Sequence, residues 1–194
     1  MTWAGDVAAA MSVAHIEVEV SETFDEVTVD VPVGSWAQAL TAARDSLRLD
    51  YFDWLSAVDE QAEGFRVIAH VYDPVSRRRL LLRTLTDNAS PAVPTATGVF
   101  RGAAWHERET HEMFGIDFPG HPYLVTLLLP DGFEGHPLRK EFVLAARAAK
   151  AWPGAKEPGE SESDAAPSRR KTLPPGVPDP AIWGPRESGS EDPA

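Results

Sequence analysis

The chain has 194 residues, 43% of them hydrophobic, which is enough for one medium-sized domain with its own core. Its formal net charge of −12 makes nucleic acids and anionic membrane surfaces poor partners, because both carry the same sign of charge. There is no cysteine, which excludes disulfides and any thiolate-ligated iron–sulfur cluster held by this chain alone. No signal peptide and no apolar run of the ~20 residues that a membrane helix needs is visible, so we expect a cytoplasmic location.

The first quarter of the chain predicts two strands and a helix. Residues 1–20 are expected to be loosely ordered, apart from a possible strand over residues 15–20. Residues 27–31 alternate between valine and polar side chains, which predicts a strand. Ser35 is a candidate N-cap for a helix that extends to about residue 47, because four apolar side chains fall on one helical face: Trp36, Leu40, Ala43 and Leu47.

A β-hairpin is the clearest prediction in the middle of the chain. Residues 65–72 and 80–85 are strand-like, and Asp73 and Pro74 begin a turn between them. Residues 51–58 fit either a short strand or a turn of helix.

After this hairpin, the sequence predicts a polar helix and a buried strand. The helix begins near Ala103, and Gly115 is suited to cap its C-terminus. The apolar run at residues 124–129 has the length of a buried strand. From residue 151 to residue 194, proline, glycine, serine and charged residues dominate, which predicts an extended tail that docks along a neighbour or stays solvated.

The polar helix is the most informative part of the sequence. Six of the seven residues 106–112 are charged or titratable, and they leave no apolar stripe on any side of a helix. Such a helix is either solvated or meets something that pairs its charges. Because Trp105, Met113 and Phe114 flank it, we expect a surface that is covered by a partner.

A metal-dependent hydrolase is one alternative for the same residues. A zinc-binding helix of that type carries two histidines four residues apart, whereas His106 and His111 are five apart and point about 140° away from each other. A metal site that includes His121 or His136 from a loop stays open. The hydrolase alternative would use His106, His111 and Glu112.

Carboxylate chemistry has less support than a structural use of the same side chains. The sequence supplies no apolar pocket that would tune Glu107, Glu109 or Glu112 as an acid or base. Arg108 and Glu112 are four residues apart and can pair, while Glu109 and Glu112 repel each other unless a partner supplies a cation.

The remaining motifs of the sequence indicate no further catalytic or nucleotide-binding site. No glycine-rich nucleotide fingerprint and no nucleophile elbow is present. Arg139 and Lys140 form an adjacent pair of cations that either stays on the surface or meets a neighbour. His121 and His136 each stand between glycine and proline, which favours turn residues whose rings bond to nearby backbone.

Two blocks of this sequence resemble the 30-kDa subunit family of respiratory complex I, which in bacteria is the NADH-quinone oxidoreductase. The first block reads ERETHEMFGIDFPGHP at residues 107–122, and the second reads DGFEGHPLRKEF at residues 131–142. The likeness covers about residues 27–142, and the tail is similar to the actinobacterial form. Shorter matches lie at residues 58–59, 93–96 and 103–105.

This resemblance implies a two-layer α+β domain over residues 21–150, with helices packed on a small mixed or antiparallel sheet. It also implies a cofactor-free structural subunit in the peripheral arm of a proton-pumping NADH:quinone oxidoreductase. FMN, the iron–sulfur clusters and the quinone, expected to be menaquinone, would lie in partner subunits. The implied partners are the quinone-site and terminal-cluster subunits, on the cytoplasmic side of the cell membrane. We expect the contact at eight residues: Trp105, Glu107, Arg108, Glu109, Glu112, His121, Arg139 and Lys140.

The sequence departs from the family at one place. Relatives carry a basic residue soon after the first His-Pro step, whereas Val125 and Thr126 stand there in this chain. Three alternatives stay open beside the resemblance: an equivalent subunit of a membrane-bound hydrogenase or formate hydrogenlyase, the metal-dependent hydrolase, and an adaptor that binds through its proline-rich tail.

Overall fold

Three helices and five strands make up the part of the chain, residues 2–142, that the computed structural model describes. The predicted tail at residues 151–194 and the last residues of the predicted domain lie outside this range. The helices are α1 (Trp3–Val13), α2 (Trp36–Asp45) and α3 (Ala103–Phe114), and the strands are β1 (Glu19–Thr23), β2 (Glu26–Asp30), β3 (Tyr51–Asp59), β4 (Phe65–Tyr72) and β5 (Arg79–Thr86).

The five strands form one mixed sheet in the order β1-β2-β5-β4-β3. All neighbours are antiparallel except β2 and β5, which run parallel. The register of the predicted hairpin pairs Ala69 with Leu82 and Val71 with Leu80, so the buried residues of both strands face the same side. The helices pack on that face, which confirms the predicted α+β class.

The core lies between the inner face of the sheet and the helices. Helix α2 buries Trp36, Ala39, Leu40 and Ala43, whose spacing places them on one face as the sequence predicts. The opposite face of the sheet is polar at its centre, where Arg66 bonds to Glu60 at 2.6 Å and to Asp30 at 3.0 Å.

The N-terminal prediction was wrong. Residues 3–13 form helix α1 instead of a loosely ordered segment, because an alanine-rich sequence favours a helix and Val7 and Met11 give it a side to bury. Thr2 caps the helix by accepting a hydrogen bond from the N–H of Gly5 at 3.3 Å. Strand β1 consequently begins at Glu19, four residues later than expected.

The prediction for residues 124–129 was also wrong. These residues form an irregular loop and not a buried strand, and the side chain of Leu128 is 61% exposed.

Two other predictions for single elements have clear outcomes. Residues 51–59 form strand β3, and Gly115 caps α3 with a left-handed φ of 71°. None of the helices within residues 2–142 is long and apolar enough to cross a bilayer.

Two buried threonines on β5 provide a test of core packing. The hydroxyl of Thr84 has no hydrogen-bond partner, whereas the hydroxyl of Thr86 accepts the N–H of Ala92 at 3.0 Å. Thr84→Val should therefore raise the free energy of unfolding by about 1 kcal/mol, and Thr86→Val should lower it by about 1–2 kcal/mol. Urea unfolding of the full chain measures both, and equal effects of the two substitutions would contradict this account.

Candidate functional site

Helix α3 buries one face although its sequence has no apolar stripe. Ala103, Glu107, Thr110 and Phe114 recur at helical spacing and are all buried, and the helix packs beneath β3. Two of these four residues are polar. The helix is therefore held on one side by its own sheet, which the lack of an apolar stripe had not predicted.

Glu107 is fully buried, and within residues 2–142 its hydrogen bonds come from neutral groups, while Nε2 of His121 lies 3.9 Å from its Oε2. The Thr95 hydroxyl donates to Oε2 at 2.5 Å, and the Ala96 N–H donates to Oε1 at 2.5 Å. Burial raises the pKa of Glu107 to about 7, although both hydrogen bonds act to lower it. The counter-charge that we expected from another polypeptide is thus replaced by two donors in the loop before the helix.

The side chain of His121 is also buried, with 1% of its surface exposed. Its Nδ1 accepts the N–H of Tyr123 at 3.0 Å, so the hydrogen belongs on Nε2, which donates to the Ala104 carbonyl at 3.0 Å. Both ring nitrogens are therefore used by the backbone. This confirms the prediction of a turn histidine whose ring bonds to backbone, while its contact with a partner stays a prediction.

Arg108 binds the segment that follows the helix. Its guanidinium donates to the carbonyls of Val125 at 2.8 Å and Thr126 at 2.7 Å, and it lies 5.5 Å from the ring centroid of Tyr123. Val125 and Thr126 stand where the resemblance implies a basic residue. Arg108 bonds to their backbone carbonyls, so this contact does not depend on which side chains they carry.

Glu112 completes this attachment from one turn further along the helix. Its buried carboxylate accepts the N–H groups of Leu127 at 2.8 Å, Leu128 at 2.9 Å and Leu129 at 3.4 Å. The spacing had suggested that Arg108 and Glu112 pair with each other, but they do not. One binds carbonyls and the other binds N–H groups of residues 125–129, and we call this arrangement the Arg108–Glu112 clamp.

The clamp explains why residues 124–129 are not a strand. A strand satisfies its peptide groups by pairing with another strand, and a peptide group left unpaired costs free energy. Here two side chains of α3 supply the missing partners. The segment can therefore stay irregular and expose apolar side chains such as Leu128.

The second sequence block caps the C-terminus of α3. The Glu112 carbonyl accepts from His136 Nδ1 at 2.8 Å, the Met113 carbonyl from the Leu138 N–H at 3.1 Å, and the Phe114 carbonyl from Arg139 Nε at 2.6 Å. These are groups that a helix end leaves without partners. Arg139 therefore has an internal role, whereas the sequence had suggested contact with a neighbour.

A close approach at Gly115 makes this capping possible. A Cβ atom there would lie 2.5 Å from Nε2 of His136 and 2.6 Å from an Nη atom of Arg139. The residue also has a positive φ, which favours glycine. The first block thus ends its helix in the one residue type that lets the second block reach it.

Asp59 at the end of β3 holds the loop that contains Lys140. Its carboxylate accepts the N–H of Lys140 at 2.8 Å and the N–H of Gln61 at 2.8 Å. Burial acts to raise the pKa of Asp59, but these hydrogen bonds together with the charges of Lys140 and Arg139 hold the pKa below its ordinary value. Asp59, Thr95 and His136 were missed as site residues, although all three lie in stretches that match the family.

The metal-site alternative does not form. His111 Nδ1 donates to the Ile116 carbonyl at 2.8 Å, His106 packs against Phe52 with ring centroids 5.6 Å apart, and Glu112 is used by the clamp. Across residues 2–142, no group of three side chains that could hold a metal ion is found.

The eight predicted interface residues fall into three groups: buried side chains, side chains bonded to their own backbone, and exposed side chains. Glu107, Glu112 and His121 have buried side chains, and Arg108 and Arg139 bond to their own backbone. Three of the eight are exposed: Trp105, Glu109 and Lys140.

Residues 29–148 match the family described as the 30 Kd subunit of the respiratory-chain NADH dehydrogenase. Similar proteins are named as subunits of NADH-quinone oxidoreductase. One, from Roseiflexus sp. (strain RS-1), is 43% identical over 102 residues, which are 52% of this chain and 59% of the relative. Another, from Brucella abortus (strain 2308), is 38% identical over 130 residues, 65% of this chain and 64% of the relative. The chain thus spans less than two thirds of each of these relatives.

Two solved structures share the fold at 22% sequence identity. One is a trypsin-resistant fragment of Nqo5, with a TM-score of 0.51 over 61% of this chain and 96% of the fragment. The other is a chain of the membrane-bound sulfane sulfur reductase, an archaeal respiratory membrane complex, with a TM-score of 0.60 over 72% of this chain and 85% of that chain.

The raised pKa of Glu107 predicts a pH-dependent stability. Between its ordinary pKa of 4.5 and about 7, the folded chain holds a proton that the unfolded chain has lost. Stability from this group therefore falls as pH rises through that window, by up to about 3 kcal/mol. Measured by urea unfolding of the full chain, the stability of wild type relative to Glu107→Gln should decrease from pH 5 to pH 8. A constant difference would show that Glu107 titrates normally.

The clamp predicts that substitution of Glu112 loosens the backbone of the segment that it binds. Glu112→Gln should speed hydrogen exchange at the amides of Leu127 and Leu128 by about tenfold or more, because a neutral amide is a weaker acceptor than a carboxylate. Glu109→Gln is the matched control, since Glu109 is exposed on the same helix. Unchanged exchange in Glu112→Gln, or equal acceleration in both variants, would show that the clamp does not hold the segment.

Proposed function

Because the chain belongs to the 30-kDa subunit family of the respiratory-chain NADH dehydrogenase, we propose that it is a structural subunit of a proton-pumping NADH:quinone oxidoreductase. In this proposal the subunit holds no cofactor. FMN, the iron–sulfur clusters and quinone belong to partner subunits, and menaquinone is the proposed acceptor. The chain lies on the cytoplasmic side of the membrane and is attached there through the complex.

One observation carries the structural role. The polar side chains of the two family blocks are used to fix the backbone of residues 121–140 against α3, through Arg108, Glu112, His136 and Arg139. A reacting group must be able to reach a substrate, whereas these groups are engaged with carbonyl and N–H groups of their own chain. Their arrangement supports a rigid surface and not a chemical step.

The proposed partners are the quinone-site and terminal-cluster subunits. Helix α3 and the residues 121–140 that it holds form the surface that meets them. The sequence suggested that the charges of α3 make this contact directly. We now propose that most of these charges act indirectly, because they determine the shape of the surface that the partner meets.

Copurification tests this function. A tagged full chain should recover flavin-site and iron–sulfur subunits from solubilised membranes, and deletion of its gene should abolish NADH:quinone oxidoreductase activity of those membranes. Glu112→Ala should reduce both assembly and activity, while Glu109→Ala should change them less, because Glu109 lies outside the clamp. Recovery of hydrogenase subunits in place of flavin-site subunits would show that the chain belongs to a membrane-bound hydrogenase. Recovery of no membrane subunit would refute the function.

A further inference from the structure

The outer face of the sheet carries a cavity of about 540 Å³ at the end where β3 begins. His70 and Tyr72 alternate along β4 with buried residues, so their side chains lie on the face opposite the helices. The cavity is therefore separate from the surface that α3 and residues 121–140 form. Six residues line it: Tyr51, Asp53, His70, Tyr72, Pro74 and Arg79.

A β-bulge in β3 presents Asp53 at this cavity. The register skips Asp53, since Phe52 and Trp54 on either side of it pair with consecutive residues of β4. A bulge re-aims the side chain of the extra residue, and bulges are over-represented next to active sites. The carboxylate of Asp53, which is 45% exposed, thus reaches the cavity through a local departure from the regular strand.

His70 holds this carboxylate in place. Its Nδ1 lies 2.8 Å from Oδ2 of Asp53 and donates to it, because an ionised carboxylate only accepts. The side chain of His70 is 13% exposed, and its ring stacks on Trp54 with the centroids 5.9 Å apart. A surface carboxylate that is positioned by a mostly buried ring has little freedom left to lose when it binds a partner.

The charged groups at the cavity have a negative balance. Arg79 lines the cavity, but its Nε lies 3.6 Å from the carboxylate of Glu26, which is also 4.0 Å from Nε2 of His70. In the part of the chain that the structure describes, residues 2–142, no lysine or arginine pairs with Asp53. A cation that enters the cavity is therefore attracted to Asp53.

Two aromatic rings favour a guanidinium as this cation. Tyr51, which is 53% exposed, contacts Tyr72 edge to face with the centroids 6.4 Å apart, and no arginine among residues 2–142 lies over either ring. The chain itself shows what a ring and a carboxylate can hold together. The guanidinium of Arg78 lies 4.8 Å from the ring centroid of Trp3 and 3.3 Å from the carboxylate of Asp6. A planar guanidinium stacks on a ring while it bonds to a carboxylate.

We propose that the cavity binds an arginine side chain of another subunit of the complex. Its guanidinium lies against Tyr51 and donates to Asp53, in the arrangement that Arg78 has within this chain. We call Tyr51, Asp53 and Tyr72 the arginine site. This inference rests on the proposed function, because that function supplies the neighbouring subunit. It adds a contact on the sheet face that the helices leave open.

The rate at which the chain leaves the complex tests the arginine site. Asp53→Asn removes the charge but keeps an oxygen that accepts the hydrogen bond of His70, so the free energy of unfolding should stay near that of wild type. Exchange of the tagged chain against an excess of untagged chain should become about tenfold faster, because the loss of a charge-assisted hydrogen bond acts mainly on dissociation. Tyr51→Ala should also speed the exchange, whereas Tyr51→Phe keeps the ring and should leave it unchanged.

Asp45→Asn is the matched control. Asp45 is 56% exposed and pairs with Arg44 on α2, which packs on the other face of the sheet. This variant loses the same charge and should exchange at the wild-type rate. Equal acceleration in Asp45→Asn would refute the arginine site, because the effect would follow from net charge alone. Wild-type exchange in both Asp53→Asn and Tyr51→Ala would refute it and leave the proposed function standing, whereas a wild type that recovers no other subunit would refute that function itself.

Cross-linking identifies the occupant of the cavity. A photoreactive benzoylphenylalanine in place of Tyr51, in the intact complex, should link to a segment of another subunit that contains an arginine. Replacing that arginine by glutamine should speed the exchange about as much as Asp53→Asn does, and both substitutions together should have no larger effect than either alone. Links only to a second copy of this chain, or only to a segment without an arginine, would overturn the inference.

Discussion

The attachment of residues 121–140 to helix α3 is the interaction on which the surface that they form depends. Arg108 and Glu112 bind opposite kinds of backbone group in the same short segment. Hydrogen bonds in which one partner is charged are roughly twice as strong as neutral ones. Two such side chains, one helical turn apart, therefore replace a strand neighbour. The segment gains a defined shape without the flat geometry of a sheet, and its apolar side chains are free to point outward.

The two buried glutamates of α3 show that the sequence alone does not reveal what a charge does. Glu107 and Glu112 are five residues apart and both receive hydrogen bonds from neutral groups. Glu107 ties the incoming loop at residues 95–96 to the helix, and Glu112 ties the outgoing segment to it. The polar character of the helix thus serves two neighbouring segments of the same chain, and burial raises the pKa of Glu107 as a result.

The roles of the two sequence blocks are coupled. The first block forms α3 and its glycine cap, and the second supplies His136 and Arg139 to the end of that helix. A substitution in either block would disturb the surface built by the other. Side chains that face the interior can therefore determine the outer surface, because they hold the backbone that presents Tyr123 and Leu128.

The sequence by itself determined the elements whose signals are local. Alternation predicted the hairpin, the spacing of Trp36 and Leu40 predicted α2, and glycine at residue 115 predicted the end of α3. The two family blocks also identified the family. Tertiary structure alone decided the partners of the charges, because a carboxylate bonds to whichever donors the fold places near it, as Glu112 does with the N–H groups of Leu127 and Leu128. It likewise decided that residues 124–129 avoid a strand, since a short apolar run carries no period that separates burial in a sheet from display on a surface.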